Sequence, residues 1–295
     1  MIFFKKSFYI GFIFSFLFSL TIFGNQNSFS FQLSQDKIDL GDTIQVDVFF
    51  AGRVDKVTAV LNKRYFKLFL LDPQKGHYRG YLALTRYAAS RRYPLKIFVK
   101  KINGKILQKR DFIEAKHVYQ KGKVVLSKKK KKIAKKKVTL GHELKHINKA
   151  FKKRSSKLLF NRSFIRPVEG KRTSGFGSNR DYRGLNMRRL HAGVDYANRI
   201  GTSVVAANDG VVLLSSQFDY HGHTIMIDHG FGIVTIYTHL KRRVVRKGDA
   251  IKRGEKIGEL GESGVATGPH LHWGMGVQNI RVNPEFWLTH FKTFE

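Results

Sequence analysis

The chain has 295 residues, 42% of them hydrophobic and 25 of them Phe, which can fill the cores of two ordinary domains and excludes wholesale disorder. Its formal charge is +34, from 55 Lys and Arg against 21 Asp and Glu, so polyanionic surroundings are expected: nucleic acid, anionic membrane or acidic cell-wall polymer. There is no cysteine, which excludes disulfides, thiol nucleophiles and thiolate zinc sites and leaves His, Asp and Glu to hold any metal.

In chain order, the positive start "MIFFKK" is followed by the apolar run "SFYIGFIFSFLFSLTIF", Ser7 to Phe23, with small residues at Ser28 to Ser30. Residues 1–30 therefore read as a secretory signal, or as an N-terminal anchor if residues 7–23 are not cleaved. Export makes nucleic acid a poor partner despite the charge, and a periplasmic or cell-envelope location is the expectation.

Residues 31–126 carry "DTIQVDVFF", "KVTAVLN", "YRGYLAL" and "YPLKIFVKK", short runs rich in Val, Ile, Phe and Tyr and punctuated by the turn signals "DLGD", "DPQKG" and "NGK". That spacing predicts a small β-sandwich-like accessory domain. Its two histidines, His77 and His117, have no partner at metal-ligand spacing and read as surface or packing residues.

Residues 127–163 begin with "SKKKKKIAKKK", which has eight lysines in eleven residues. The run reads as a solvated, self-repelling linker entering a helix; the sharper alternative is electrostatic docking of Lys128–Lys137 on an anionic wall or membrane surface. In the helix that follows, Leu140, Leu144, Ile147 and Phe151 fall on one apolar stripe. The same helix contains "HELKH", the His-Glu-x-x-His pattern of many zinc proteases. His142 and His146 would project from the opposite, lysine-rich side, and no third ligand continues the motif. The helix is read as structural.

Residues 164–295 are Gly-punctuated short strands, a second β domain with three histidine clusters. In "HAGVD", His191 and Asp195 would lie roughly 13 Å apart in an extended chain, so Gly193 is expected to supply a bend or bulge that brings them together. In "PHLHW", His270 and His272 share one strand face about 7 Å apart. His239 in "YTHL" ends a strand. His221 and His223 in "YHGHT" read as groove-rim residues at most, and His229 in "DHG" as a hairpin turn residue.

These segments resemble the lysostaphin/LytM-type zinc metallopeptidases, bacterial cell-wall endopeptidases. The matching text is "RPVEGKRTSGFG", "HAGVDYANRIGTSVVAANDGVV", "IDHGFGIVTIYTHL", "KGDAIKRGEKIGELGESGVATGPHLHW" and "VNPEFWL", in the family's order over about the last 130 residues. The resemblance implies a compact antiparallel β fold with an open groove and one zinc ion per chain held by His191, Asp195 and His272. It also implies that His239 and His270 line the cleft as proton-transfer and oxyanion-stabilising groups. Three protein ligands and one open position suit catalysis, and with no Glu in "HAGVD", "YTHL" or "PHLHW" the general base is expected to be an imidazole.

The expected function is an exported zinc endopeptidase cutting peptidoglycan stem peptides or cross-links; the alternative is a non-catalytic peptidoglycan-binding or regulatory module. The N-terminal domain more weakly resembles the β domains that precede this peptidase domain in exported Gram-negative members. There it could position or occlude the groove.

Overall fold

The computed structural model describes residues 28–117, 121–153, 155–182 and 187–290, so the apolar stretch expected to act as a signal lies outside the described residues. Among the described residues no helix is long and apolar enough to cross a membrane. The chain is mainly β, built on antiparallel sheets, as its patterning predicts.

Eight strands between Ser30 and Lys116 form one hydrogen-bonded path. Alternation explains them. In Arg91–Lys101, Tyr93, Leu95, Ile97 and Val99 are buried while Arg92 and Pro94 are exposed. Asn62 and Lys63, both at positive φ, make the two-residue turn that joins Val54–Leu61 to Arg64–Asp72. The Arg64–Asp72 strand then changes partners, pairing through Leu68 with Val54–Leu61 and from Phe69 onward with His77–Ala83. A strand that switches neighbours in this way makes a corner between two layers.

The lysine run, expected as a solvated linker entering a helix, is itself helical, with most of its lysines exposed. Lys128–Lys135 forms a helix, α1, whose first turn is capped by Ser127 accepting from the Lys130 N–H at 3.4 Å. Lysine is a good helix former once its charge is answered. Lys130 pairs with Glu262, and Leu126 and Ala134 pack with Val265 of the same loop. A second helix, α2 (Lys137–Phe151), follows at once. It buries Leu140, Ile147 and Phe151 as expected, but Leu144 is 37% exposed and Glu143 is buried in its place.

The second sheet has ten strands, with every pairing antiparallel. At its centre Gly193–Ala197, His270–Val277 and Ile233–Arg243 lie side by side. A small third sheet flanks it, in which Asn179–Tyr182 pairs with Met187–Leu190 and, in parallel, with Lys121–Val124. Both large sheets contribute to one hydrophobic core. Phe69 stacks on Phe231 with centroids 4.7 Å apart, and the buried Trp287 donates its indole N–H to Thr43 Oγ1 at 3.1 Å.

Candidate active site

Three neighbouring strands set the site. Asp195 and Thr238 lie directly across from His272 on either side, while His191 precedes its strand and is fixed by its N–H donating to Ser178 O at 2.9 Å. Gly193 does not form a bulge: its strand pairs with His270–Val277 without a register shift, and the chain bends at Ala192. The glycine is needed for close approach. A Cβ there would sit 2.4 Å from the Trp273 carbonyl oxygen and 2.8 Å from His272 Cε1.

The result is one convergent donor set. His191 Nε2 lies 2.8 Å from His272 Nδ1 and 3.1 Å from Asp195 Oδ1, and His272 Nδ1 lies 2.9 Å from the same oxygen. Among the described residues no other group of three His, Asp, Glu or Cys side chains converges so closely. Donors bound at about 2.0–2.1 Å around a tetrahedral ion stand about 3.3 Å apart, so these edges need only a few tenths of an ångström of opening. Two imidazole nitrogens and one carboxylate oxygen suit zinc, and the residues present fit it.

The surroundings orient these donors. Gly175 O lies 2.9 Å from His191 Nδ1, which places the proton there and turns the Nε2 lone pair inward. Arg180 pairs with Asp195 Oδ2 and donates to Ser174 Oγ at 3.0 Å, leaving Oδ1 to face the two imidazoles. Burial lowers the pKa of His191 and takes that of His272 down to about 4, so both rings are neutral donors near neutrality. Burial alone would raise the Asp195 carboxyl, but His191 and His272 outweigh it and hold the group well below the usual carboxylate range.

His239 and His270 stand beside the donor set, with ring centroids 4.9 Å apart. His239 does not end its strand: it lies inside Ile233–Arg243 at a register shift, with φ +64°, a conformation costly for a non-glycine residue. Its Nδ1 lies 2.9 Å from Ser263 O, and His270 Nδ1 lies 2.8 Å from Gly268 O. Each carbonyl places the proton on Nδ1, so each Nε2 is free to take up a proton. His270 Nε2 lies 4.0 Å from Asp195 Oδ1. Burial, then His270 and His272, push the His239 pKa well below its ordinary value.

The remaining histidines sort differently. His221 lines the same cavity, and its Nδ1 meets Glu143 Oε2 at 2.7 Å. His223 starts a strand, with its ring 3.3 Å from the Arg243 guanidinium. His229 is not a turn residue: fully buried near the end of Gly222–Gly230, it bridges Asp209 O and Thr235 Oγ1, and burial lowers its pKa to about 4. His77 is a packing residue, 2.6 Å from Asp47 Oδ1 and stacked on Phe49. His117 is exposed. His142 and His146 are exposed on α2 with their Nε2 atoms 3.3 Å apart, and no acidic or histidine third donor joins them among the described residues.

A cavity of about 370 Å³ opens over the donor set. His191, His239 and His272 line one part of it, and Leu144, Ile147 and Asn148 of α2 form a wall. Sequence reasoning missed three contributors: Arg180, Ser174 and Glu143. Glu143, the acid of the "HELKH" pattern, accepts from the N–H groups of Tyr220 at 2.8 Å and His221 at 3.2 Å. Burial would raise its pKa, but the His221 and backbone hydrogen bonds lower it overall. Its only sequence signal was a carboxylate on the flank of an apolar stripe.

The family model for peptidase family M23 matches residues 189–284. Over 125 residues the chain is 39% identical to the peptidoglycan DD-endopeptidase ShyC of Vibrio cholerae, covering 42% of this chain and 29% of that protein. Over 100 residues it is 40% identical to the DD-carboxypeptidase/endopeptidase Mpg of Neisseria meningitidis, covering 34% of this chain and 23% of that protein. The chain thus matches less than a third of the length of these curated relatives. A crystal structure of a candidate peptidase M23 from Pseudomonas aeruginosa superposes with a TM-score of 0.62 at 21% identity, covering 86% of this chain and 95% of that one. That likeness concerns the fold.

Proposed function

Since residues 189–284 form a peptidase family M23 domain, we propose that the protein is an exported zinc endopeptidase that hydrolyses peptide bonds of peptidoglycan stems or cross-links. The observation that carries this reading is the convergence of His191 Nε2, Asp195 Oδ1 and His272 Nδ1 on one point at the cavity floor. The DD-endopeptidase activity of ShyC and the DD-carboxypeptidase/endopeptidase activity of Mpg support the substrate class. Export rests on the charged start and apolar run of the first 23 residues.

A zinc ion on these three donors would keep one position open, polarise the scissile carbonyl and lower the pKa of a bound water toward about 7. The chain's own side chains do the rest. His239 and His270 each present an unprotonated Nε2, suited to take a proton from the attacking water and return it to the leaving amine. Arg180 answers the Asp195 charge at Oδ2, the oxygen not shared with the two imidazoles. The α2 wall narrows the cavity on one side.

Incubation of zinc-loaded protein with purified sacculi, followed by mass spectrometry of the soluble fraction, tests the reading. Fragments arising from peptide-bond hydrolysis are expected. His272→Ala should lose both zinc and fragments, whereas His270→Ala should keep the metal and lose turnover by about 10²–10⁴-fold. Intact sacculi with fully zinc-loaded protein would instead favour a binding module.

A further inference from the structure

The cavity over the donor set is lined by four arginines, Arg86, Arg180, Arg189 and Arg281, and by no Asp or Glu. Lysine outnumbers arginine 34 to 21 in the chain, yet every Lys or Arg at this wall is arginine. A high overall charge would scatter both types over the surface. Arginine alone points to a planar acceptor that a guanidinium fork can grip with two hydrogen bonds, which a lysine ammonium cannot do.

Arg180 is already engaged by Asp195, but Arg281 and Arg86 are not paired with any carboxylate among the described residues. Arg281 lies with its guanidinium carbon 3.1 Å over the Phe151 ring centroid. Burial, and then the neighbouring Arg86, lower its pKa to about 9, so the folded chain holds two like charges near each other against their preference. Burying a cation without a partner is costly, and an anionic ligand would relieve that cost.

The two arginines come from different parts of the molecule. Arg86 lies in the turn between His77–Ala83 and Arg91–Lys101 of the accessory sheet and reaches across to donate to Leu190 O at 3.1 Å. Arg281 lies on Ile280–Val282, just after a two-residue turn, Gln278-Asn279, with both residues at positive φ. That turn is gripped by the accessory sheet: the Gln278 side chain accepts from Lys67 N–H and donates to Lys67 O, each at 2.9 Å. The contact between sheets therefore sets the position of both guanidinium groups.

We propose that Arg86 and Arg281 form a carboxylate-binding subsite of the groove, built jointly by the accessory sheet and the C-terminal hairpin, which selects substrate peptide with a free carboxylate over its amidated form. The subsite deepens the hydrolase reading and rests on it for the identity of the peptide. Its occupant is a carboxylate of a stem peptide, and the accessory domain is thereby part of substrate recognition.

Calorimetric titration tests it, using full-length zinc-loaded protein and two probes: a stem tetrapeptide with free carboxylates and the same peptide fully amidated. A charge-assisted pair contributes about 1.5–3 kcal/mol, so the free acid should bind at least about tenfold more tightly. Arg86→Gln, on a half-exposed side chain, should bring that preference below about threefold without changing affinity for the amide. Arg281→Met, which keeps an apolar contact with Phe151, should do the same. Equal binding of both probes by the wild type, no binding of either, or full preference retained in both variants overturns the proposal. Sacculus hydrolysis by the same wild-type preparation reads the hydrolase separately. Intact sacculi with the preference preserved would sink the hydrolase alone, and digestion without the preference would sink the subsite alone.

Discussion

At the residue scale, the donor set depends on side chains other than the three donors. Asp195 is buried against two neutral imidazoles, and an isolated carboxylate there would favour its protonated form. Its hydrogen bonds and charge interactions with His191 and His272 outweigh that burial, and the Arg180 guanidinium at Oδ2 fixes which oxygen faces inward. Removing partners of this kind from a metal ligand typically costs about 10–100-fold in metal affinity. Arg180→Leu should therefore weaken zinc binding by that factor in a competition titration with a chromophoric chelator, while leaving one site per chain. An unchanged zinc affinity would show that Arg180 serves packing only. His191, Asp195 and His272 were legible as one donor set through the resemblance of "HAGVD" and "PHLHW" to the family's motifs, since spacing alone left His191 and Asp195 roughly 13 Å apart in an extended chain. Nothing local announced Arg180, which meets Asp195 only through a hairpin whose course depends on a third strand at Lys121–Val124.

At the element scale, two segments show what patterning conveys and what it omits. The helical period of α2 and its apolar stripe were readable, and the exposed His142 and His146 agree with a structural role for that helix. The exchange of Leu144 for Glu143 at the buried face was not readable, because the neighbour it serves is the backbone of Tyr220 and His221, 77 and 78 residues downstream. Gly193 was likewise noticed for the wrong reason. Its lack of a side chain permits two strands to close beside His272, and that need appears only once the strands are paired. These contrasts yield one paired expectation. His142→Ala should leave turnover within about twofold, since its ring meets only His146 among the catalytic-type residues nearby. Gly193→Ala should cost about 10²-fold or more, because the displaced backbone carries the donor set away from its productive geometry. Loss of turnover in the first variant with retention in the second would return the catalytic role to the "HELKH" helix.

At the scale of the whole molecule, the accessory and peptidase segments are not independent beads. The Phe69–Phe231 stack, the Trp287–Thr43 hydrogen bond and the Gln278 grip on Lys67 tie the two sheets into one core. An aromatic pair of this kind adds about 0.5–1.5 kcal/mol beyond its buried area. Differential scanning calorimetry should therefore show a single unfolding transition for the described body of the protein, where loosely tethered domains would give two. This coupling was invisible in the sequence, since the contacting residues read as ordinary core positions of separate sheets. Arg86 and the α2 wall line the cavity, so that part of the chain contributes to the site's shape.

The account turns on where the metal sits. A crystallographic anomalous difference map of zinc-loaded protein, collected at the zinc absorption edge, tests this most directly. One strong peak is expected within about 2.0–2.2 Å of His191 Nε2, Asp195 Oδ1 and His272 Nδ1. Density absent from that point, with the zinc found between His142 and His146 instead, would contradict it.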